Sequence, residues 1–324
     1  MPLRFLITQK LPPIAKELLL RQGEVTEFAL DRPISPEELI AAGRHCQGIL
    51  AMLTDRFDAA ILDKLSELRA ISNYAVGYNN IDIKECSRRG IGVSNTPEVL
   101  TDASAELAWA LLMATARRLG EAEQCVRQRK WSGWGPMQFL GRQVTGKNLG
   151  IVGGGRIGQR LARMATGFDM KVGYVSRQAK QELEQLGGVR MELHALLAWA
   201  DFVSLHVPLT DATHHMIGHA ELALMKPTAV LINTARGAVV DEAALIEALE
   251  NRTIFGAGLD VYEFEPRIAD RLLKLPNTVL LPHIGSATVE TRTRMAELAA
   301  ENLIAMVQGR RPLCPVNLEL WEPG

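Results

Sequence analysis

The feature that most constrains how this chain can fold is a glycine-rich turn between an apolar strand and a helical segment. The stretch Asn148-Leu-Gly-Ile-Val-Gly-Gly-Gly-Arg-Ile-Gly sets Gly153, Gly155 and Gly158 in the spacing G-x-G-x-x-G. In this context the first glycine permits a tight turn, the second lets a pyrophosphate approach the backbone, and the third allows the helix to contact the strand. The phosphates would lie at the helix N-terminus, where unpaired N–H groups and the helix dipole favour anions. The stretch therefore predicts a dinucleotide-binding site.

The end of the next predicted strand indicates which dinucleotide is bound. Sites for NAD usually place an acidic residue about 20 residues past the glycines, where it binds the ribose 2′-hydroxyl. Here the strand Lys171–Val175 leads into Ser176 and Arg177, and the first acidic residue is Glu182, which comes too late. Ser176, Arg177 and Lys180 could instead bind a 2′-phosphate through charge-assisted hydrogen bonds. The segment predicts NADP(H) as the preferred cofactor, with NAD(H) as the second choice.

Apolar runs alternate with helical patterns along the whole chain, in two successive series. The first series contains the predicted strands Leu3–Thr8, Gly48–Leu53, Leu68–Ser72 and Gly90–Ser94. The second contains Asn148–Val152, Lys171–Val175, Phe202–Val207, Ala229–Asn233, Gly256–Asp260 and Thr278–Leu281. Such alternation is typical of parallel sheets covered on both faces. The predicted fold class is α/β with two doubly wound parallel-sheet domains, a Rossmann NAD(P)-binding domain inserted into a discontinuous flavodoxin-like substrate domain.

The predicted helices set the domain boundaries. A chain of 324 residues is longer than a single hydrophobic core usually supports. A long helical stretch from Thr101 to about Arg129 separates the two series, and a helix over Val289–Gln308 is long enough to return to the first domain. We therefore expect residues 1–98 and 287–324 to form the substrate-binding domain and residues 99–286 to form the dinucleotide-binding domain, with a cleft between them.

Three residues with complementary chemistry follow successive strands of the second series. Arg236, Glu265 and His283 each come soon after a predicted strand end. Because ligands of doubly wound sheets bind at the carboxyl ends of the strands, the three side chains can converge there. His283 as imidazolium could donate a proton to a reacting oxygen, and Glu265 could hold it in that form near neutral pH. Arg236 could hold an anionic group of the substrate and polarise the bond that reacts.

These segments together resemble the family of D-isomer-specific 2-hydroxyacid dehydrogenases. Three family signatures correspond to the glycine loop, to Asp201-Phe-Val-Ser-Leu-His-Val-Pro-Leu-Thr and to Asn233-Thr-Ala-Arg-Gly. Within the family, the chain is most similar to glyoxylate/hydroxypyruvate reductases. That similarity rests on the stretches Ala75-Val-Gly-Tyr-Asn-Asn-Ile-Asp, Thr96-Pro-Glu-Val-Leu-Thr-Asp, Trp131-Ser-Gly-Trp-Gly-Pro-Met and His283-Ile-Gly-Ser-Ala-Thr.

The resemblance implies further site residues and a homodimer. The backbone N–H groups of Val76 and Gly77 would bind the substrate carboxylate as an anion nest, and Leu53 would form an apolar wall. Trp134 would reach the site of the neighbouring subunit, and Asp260 would bind the nicotinamide carboxamide. The remaining implied cofactor contacts are Arg156, Ile157, Pro208, Thr213, Thr234, Ala235 and Gly285. The implied reaction is the NADPH-dependent reduction of glyoxylate to glycolate and of hydroxypyruvate to D-glycerate.

Composition argues against several other classes of protein. The 36 Lys and Arg residues balance 37 Asp and Glu residues without a basic stripe, which disfavours nucleic acid as a partner. The most apolar stretch, Leu107–Ala114, is far shorter than the roughly 18 to 20 residues that span a bilayer. The four cysteines are scattered, with no signal peptide and no metal-ligand spacing, so we expect a cytoplasmic protein without a metal site. The other histidines lack partners by pattern and are interpreted as structural: His45, His194, His206, His214, His215 and His219.

Two alternative functions stay open at this point. The chain could act on a different D-2-hydroxyacid or on a sugar acid such as 2-ketogluconate. It could also be a non-catalytic module that senses NAD(H), because the same fold serves transcriptional co-repressors and such proteins can retain the Arg/Glu/His set. Turnover measured with several keto acids discriminates among these functions.

Overall fold

The computed structural model describes residues 2–29 and 32–322, and the strands in those ranges form two separate sheets in which every pairing is parallel. The first sheet has the order β2-β1-β3-β4-β5 and consists of β1 (Leu3–Ile7), β2 (Gly23–Glu27), β3 (Gly48–Ala51), β4 (Ala70–Asn73) and β5 (Gly92–Ser94). The second has the order β12-β11-β10-β9-β6-β7-β8 and consists of β6 (Asn148–Val152), β7 (Lys171–Val175), β8 (Val189–Arg190), β9 (Phe202–Leu205), β10 (Val230–Asn233), β11 (Gly256–Leu259) and β12 (Thr278–Leu280).

Helices connect the successive strands of each sheet. Those around the first sheet are α1 (Pro13–Leu20), α2 (Pro36–Gly43), α3 (Ala59–Leu62), α4 (Ile83–Arg88) and α13 (Val289–Val307). Those around the second are α5 (Thr101–Ala116), α6 (Leu119–Arg127), α7 (Arg156–Thr166), α8 (Gln181–Glu184), α9 (Leu193–Trp199), α10 (His219–Leu224), α11 (Glu242–Glu250) and α12 (Asp270–Leu273). Short 3₁₀ turns lie at Gly237–Val239 and Leu318–Leu320.

The strand orders confirm the predicted fold class. In the first sheet the order 2-1-3-4-5 is that of flavodoxin-like folds. In the second, β8-β7-β6-β9-β10-β11 reproduces the Rossmann order 3-2-1-4-5-6, and β12 adds one edge strand. The chain divides into one unit made of the described residues up to Leu100 and from Ser286 onward, and a second unit, Thr101–Gly285, inserted within it.

Each unit has its own apolar core, built on strands that are buried on both faces. In the second unit, β9, β10 and β11 are buried along their whole length. This explains why these strands read as continuous apolar runs rather than as alternating patterns. In the first unit, β3 and β4 are equally buried, and α13 packs against both. α13 is thus the long return helix that the sequence indicates.

The helices and strands of the structure differ from the predicted ones in two respects: one predicted helix is broken, and two edge strands were not predicted. The predicted helix from Thr101 to about Arg129 is broken, because Arg118 adopts a left-handed conformation (φ 55°) between α5 and α6. The backbone N–H of Arg142 donates to the carbonyl of Ala116 at 2.7 Å, so the buried C-terminal end of α5 is capped by a distant segment. The strands β2 and β8 were not predicted; both are sheet edges, where charged side chains obscure the apolar pattern.

No helix in the described ranges is both long enough and apolar enough to cross a bilayer.

Cys46 and Cys86 are buried thiols. Burial raises the pKa of Cys46 to about 11 and that of Cys86 to about 12, which makes both thiols unreactive. The cytoplasmic location stays a prediction.

Candidate active site

The glycine loop between β6 and α7 meets the geometric requirements of a phosphate-binding turn. Gly153 has φ 110°, and a Cβ built there would lie 2.5 Å from the carbonyl oxygen of His206. A Cβ on Gly158 would lie 2.4 Å from the carbonyl oxygen of Gly153, so the helix and the turn are in direct contact. A Cβ on Gly155 would meet no atom within 4 Å. Gly155 is the N-cap of α7 and has no side chain to occupy the first N–H groups, which leaves them for an anion.

The segment after β7 borders this loop. A Cβ built on Gly154 would lie 3.0 Å from Cγ of Lys180 and 3.3 Å from Cβ of Ser176, and Arg177 is exposed beside them. Arg190 donates to the carbonyl oxygens of Ser176 and Arg177 at 3.0 and 2.9 Å. Sequence reasoning missed Arg190, because it lies on β8; the parallel pairing of Tyr174 with Arg190 would have revealed it.

Two buried polar atoms lie where the nicotinamide end of a cofactor is predicted. Asp260 follows β11, and its Oδ1 accepts a hydrogen bond from the N–H of Ile284 at 2.7 Å. Its Oδ2 and the Oγ1 of Thr234 are buried with no hydrogen bond of ordinary geometry within the described chain. Burial raises the pKa of the Asp260 carboxyl, and the Ile284 N–H opposes the rise. Unpaired buried polar atoms are rare, and a carboxamide can donate to such oxygens, so the residues present fit a nicotinamide.

The loop after β10 holds Arg236 in a fixed position. Asn233 is buried; its Oδ1 accepts from the N–H of Ala235 at 3.0 Å and its Nδ2 donates to the carbonyl of Arg236 at 2.9 Å. A Cβ built on Gly237 would lie 2.0 Å from the carbonyl oxygen of Tyr262, so the loop is also packed tightly against the next one. Sequence reasoning missed the role of Asn233, although it is the first residue of the motif that contains Arg236.

Glu265 and His283 form an ion pair. Oε2 of Glu265 and Nδ1 of His283 are 2.9 Å apart, and Oε1 accepts from the N–H of Tyr262 at 2.9 Å. Burial raises the pKa of Glu265, but the hydrogen bond and charge of His283, with the Tyr262 N–H, lower it more, so the carboxyl lies below its ordinary pKa. His283 has φ 55°, a left-handed conformation that is uncommon outside glycine and often marks a functional residue. With Nδ1 engaged and the side chain 28% exposed, Nε2 is the ring nitrogen left for a substrate.

Arg236 belongs to the same charge cluster. Burial lowers the pKa of its guanidinium, and the negative charge of Glu265 opposes that decrease. The charge of Arg236 in turn contributes to the low pKa of Glu265. One guanidinium nitrogen, Nη1, donates to the carbonyl of Ala235 at 2.7 Å, and the remaining donors are available to an anion. The structure therefore brings the three predicted catalytic side chains together at one edge of the second sheet.

Some of the remaining predicted cofactor residues lie beside the glycine loop or Asp260, whereas the side chain of Thr213 bonds within its own turn. Arg156 and Ile157 open α7 at the glycine loop, and Gly285 lies against Asp260, since a Cβ on it would be 3.2 Å from Oδ2. The hydroxyl of Thr213 donates to the carbonyl of Pro208 at 2.6 Å and is used within its own turn.

The predicted substrate residues of the first unit lie on two loops that asparagine side chains hold in place by hydrogen bonds. Leu53 and Val76 are 36% and 37% exposed. Asn73 donates to the carbonyl of Gly77 at 2.8 Å, and Asn80 donates to carbonyls on either side of Leu53 at 3.1 and 2.9 Å. These two asparagines, which sequence reasoning missed, fix both loops. The roles of Leu53, Val76 and Gly77 in substrate binding stay predictions.

The two tryptophans after α6 lie outside the core of their own unit. Trp134 is 83% exposed and Trp131 is 56% exposed. Met137, in the same loop, is 77% exposed. An isolated exposed apolar residue is unremarkable, but adjacent ones on one segment mark a surface for contact.

The structure gives most of the other histidines a carboxylate partner that no sequence pattern indicates, and such a partner is compatible with a structural role. The structure pairs His45 with Glu67 at 2.8 Å, His194 with Glu221 at 3.4 Å, His215 with Glu263 at 2.8 Å and His219 with Glu247 at 3.8 Å. Each glutamate is more than 20 residues away in the sequence, so the pairing is invisible without the fold. His206 accepts or donates a hydrogen bond with Ser204 at 2.9 Å, and burial lowers its pKa to about 4.

The chain is similar to known proteins in sequence and in structure. The family described as D-isomer specific 2-hydroxyacid dehydrogenase, NAD binding domain, matches residues 109–285. A protein named glyoxylate reductase from Thermococcus litoralis is 50% identical over 320 residues, which cover 97% of this chain and 96% of the relative. The TT0316 protein of Thermus thermophilus has a TM-score of 0.92 at 43% identity, covering 97% of this chain and 100% of the other. An NADPH-dependent glyoxylate/hydroxypyruvate reductase from Sinorhizobium meliloti, solved with NADP and malonate, has a TM-score of 0.88 at 34% identity, covering 100% and 99% of the two chains.

Proposed function

The chain belongs to the D-isomer-specific 2-hydroxyacid dehydrogenase family, and we propose that it reduces glyoxylate to glycolate and hydroxypyruvate to D-glycerate with NADPH. The observation that carries the proposal is the Glu265–His283 ion pair, at 2.9 Å, beside the charge of Arg236. The full-length similarity to the glyoxylate reductase of Thermococcus litoralis favours glyoxylate among the keto acids.

The chemistry of the reduction can be divided among these side chains. NADPH, when bound, supplies a hydride for the carbonyl carbon. Nε2 of His283 donates a proton to the carbonyl oxygen, which becomes the hydroxyl of the product. Glu265 accepts the hydrogen bond from Nδ1 and so orients the ring, with Nε2 toward the substrate. Arg236 binds the carboxylate and polarises the carbonyl toward the hydride.

An absorbance assay tests the proposal. Oxidation of NADPH is followed with glyoxylate, hydroxypyruvate, pyruvate and 2-ketogluconate as substrates. We expect the largest kcat/KM with glyoxylate or hydroxypyruvate. A preference for 2-ketogluconate would contradict the proposal and indicate a sugar-acid dehydrogenase. Binding of NADPH without turnover of any keto acid would indicate a non-catalytic binding module.

The segment after β7 supports the preference for NADPH. Ser176 and Lys180 border the glycine loop, and Arg177 is exposed beside them. Arg190 holds the carbonyls of Ser176 and Arg177, so it acts as a positioning residue for this segment. A 2′-phosphate here would be surrounded by cationic groups, whereas a 2′-hydroxyl would meet no carboxylate acceptor in the sequence before Glu182.

Replacement of Arg177 by methionine is expected to lower kcat/KM for NADPH by about 10- to 100-fold, the value of a hydrogen bond to a charged group. The value for NADH is expected to stay within about twofold, because NADH lacks the phosphate. Steady-state kinetics with both cofactors measure the ratio. Lys171→Met is the matched control, because Lys171 is an exposed cation at the opposite end of the same strand. An equal loss with both cofactors would contradict the assignment.

We also propose a homodimer formed through α6 and the loop after it. This segment exposes a series of large apolar side chains: Leu119, Val126, Trp131, Trp134, Met137 and Leu140. α6 buries none of its residues within the chain. Apolar groups of this kind gain about 25 cal/mol per Å² when a partner covers them.

Substitution of Met137 by glutamate is expected to convert the dimer into a monomer, because an uncompensated charge would be buried at the contact. Sedimentation velocity at several protein concentrations measures the change as a halving of the mass. Leu313→Glu is the control, because Leu313 is 73% exposed and lies in the other unit. A Met137→Glu protein with the mass of the unaltered dimer would place the interface elsewhere.

A further inference from the structure

A second cluster of chemically active side chains lies outside the Glu265–His283 pair. His214, His215 and Glu263 each offer one ligand atom, and these atoms lie within 4.8 Å of one another. Nε2 of His215 is 2.8 Å from Oε1 of Glu263, and the two imidazole rings are stacked with their centroids 4.0 Å apart. The reduction proposed above uses none of the three groups.

Two of the three groups are held in place by the backbone around them. Oε2 of Glu263 accepts from the N–H of Glu242 at 3.2 Å, and the N–H of Glu263 donates to the Glu242 carboxylate at 3.2 Å. The N–H of His215 donates to the carbonyl of Ala238 at 2.8 Å, and His215 has φ 50°. His214, in contrast, is exposed, and its ring stacks on that of His215, a contact weak enough to let the ring turn. The cluster therefore has a fixed His–Glu pair and one adaptable imidazole.

We propose that His214, His215 and Glu263 bind a divalent transition-metal ion of the Zn²⁺ or Ni²⁺ type. Two imidazoles and one carboxylate form a ligand set that suits these ions and leaves a further position for water. Two ligands of a tetrahedral Zn²⁺ ion lie about 3.3 Å apart, so Nε2 of His215 and Oε1 of Glu263 need to separate by only about 0.5 Å. The exposed ring of His214 can then turn to complete the set.

Three other His–Glu pairs in the described part of the chain have the same residue types as the proposed metal site but are two-residue ion pairs. His194–Glu221 and His219–Glu247 each bring one imidazole to one carboxylate. His45–Glu67 is as short as the His215 pair but does not belong to a three-ligand group. These pairs provide built-in controls, because they share the residue types without the third ligand.

Isothermal titration of the full-length protein with ZnCl₂, after treatment with a chelator and desalting, tests the site. One equivalent of Zn²⁺ is expected to bind with a dissociation constant well below about 1 mM. His214→Ala is expected to weaken binding at least about tenfold, and Glu263→Gln to weaken it similarly. His194→Ala, which removes another exposed imidazole from a pair with a glutamate, is expected to leave the constant within about twofold.

His214 is exposed, so its removal leaves the fold intact, and circular dichroism of each variant checks this point. The absorption spectrum of bound Co²⁺ provides a second measurement, because a four- or five-coordinate protein site absorbs visible light more strongly than hydrated Co²⁺ does, and His214→Ala should weaken these bands by weakening binding. Unchanged Zn²⁺ binding by His214→Ala would overturn the proposal. So would the absence of saturable binding by the unaltered protein below about 1 mM, or an equal loss in His194→Ala.

Discussion

Replacement of His283 by asparagine is expected to lower kcat for glyoxylate reduction by about 10²- to 10⁴-fold, the usual contribution of a positioned proton donor. Asparagine is chosen because it tolerates the left-handed backbone of His283, at φ 55°, better than alanine does. Its amide can also donate to Oε2 of Glu265, in place of Nδ1. The variant therefore keeps the local geometry but has no titratable proton to give to the carbonyl oxygen.

Two measurements and a control variant separate proton donation from a structural effect. The affinity for NADPH, measured by fluorescence, is expected to stay near that of the unaltered protein, because His283 acts on the keto acid. The thermal midpoint should be nearly unchanged. His45→Asn is the matched control, because His45 also pairs with a glutamate at 2.8 Å but lies in the first unit. A His283→Asn enzyme that retains more than a tenth of the original kcat would require another proton donor.

The features that sequence predicted well depend on neighbouring residues. The turn at Gly153 and the helix that begins at Arg156 follow from local spacing, and the structure has both. The placement of Arg236, Glu265 and His283 at strand ends also followed from local pattern, and the rule that parallel strands share a carboxyl edge then brought them together. The predicted fold class needed no more than this rule and the alternation of strands and helices.

The features that sequence missed depend on residues far apart in the chain. The break between α5 and α6 is stabilised by Arg142, which lies 26 residues past Ala116. Arg190 could not be assigned because β8 is only two residues long. The carboxylate partners of the histidines are distant for the same reason, since an ion pair leaves no periodic signal in the sequence. Packing, rather than composition, decides these contacts.

Replacement of Arg236 by methionine is expected to lower kcat/KM for glyoxylate by about 10²- to 10³-fold, because the substrate would lose both a carboxylate contact and carbonyl polarisation. The loop should persist, since the Asn233 side chain bonds to the backbone of Ala235 and Arg236 and not to the guanidinium. Arg236→Lys is the informative companion variant. It restores the charge but not the forked, two-point geometry, so we expect it to recover only part of the loss.

The kinetic constants that change in Arg236→Met decide whether Arg236 binds the keto acid or the cofactor. We expect KM for glyoxylate to rise and kcat to fall, with KM for NADPH nearly unchanged, because the proposed role of Arg236 is to bind the keto acid and not the cofactor. Arg267→Met is the control, since Arg267 is an exposed cation two residues past Glu265. Its kinetics should match those of the unaltered enzyme, which would exclude a general effect of lost positive charge. If Arg236→Met instead raised KM for NADPH alone, the guanidinium would be a cofactor ligand, and the keto acid would need a different cation.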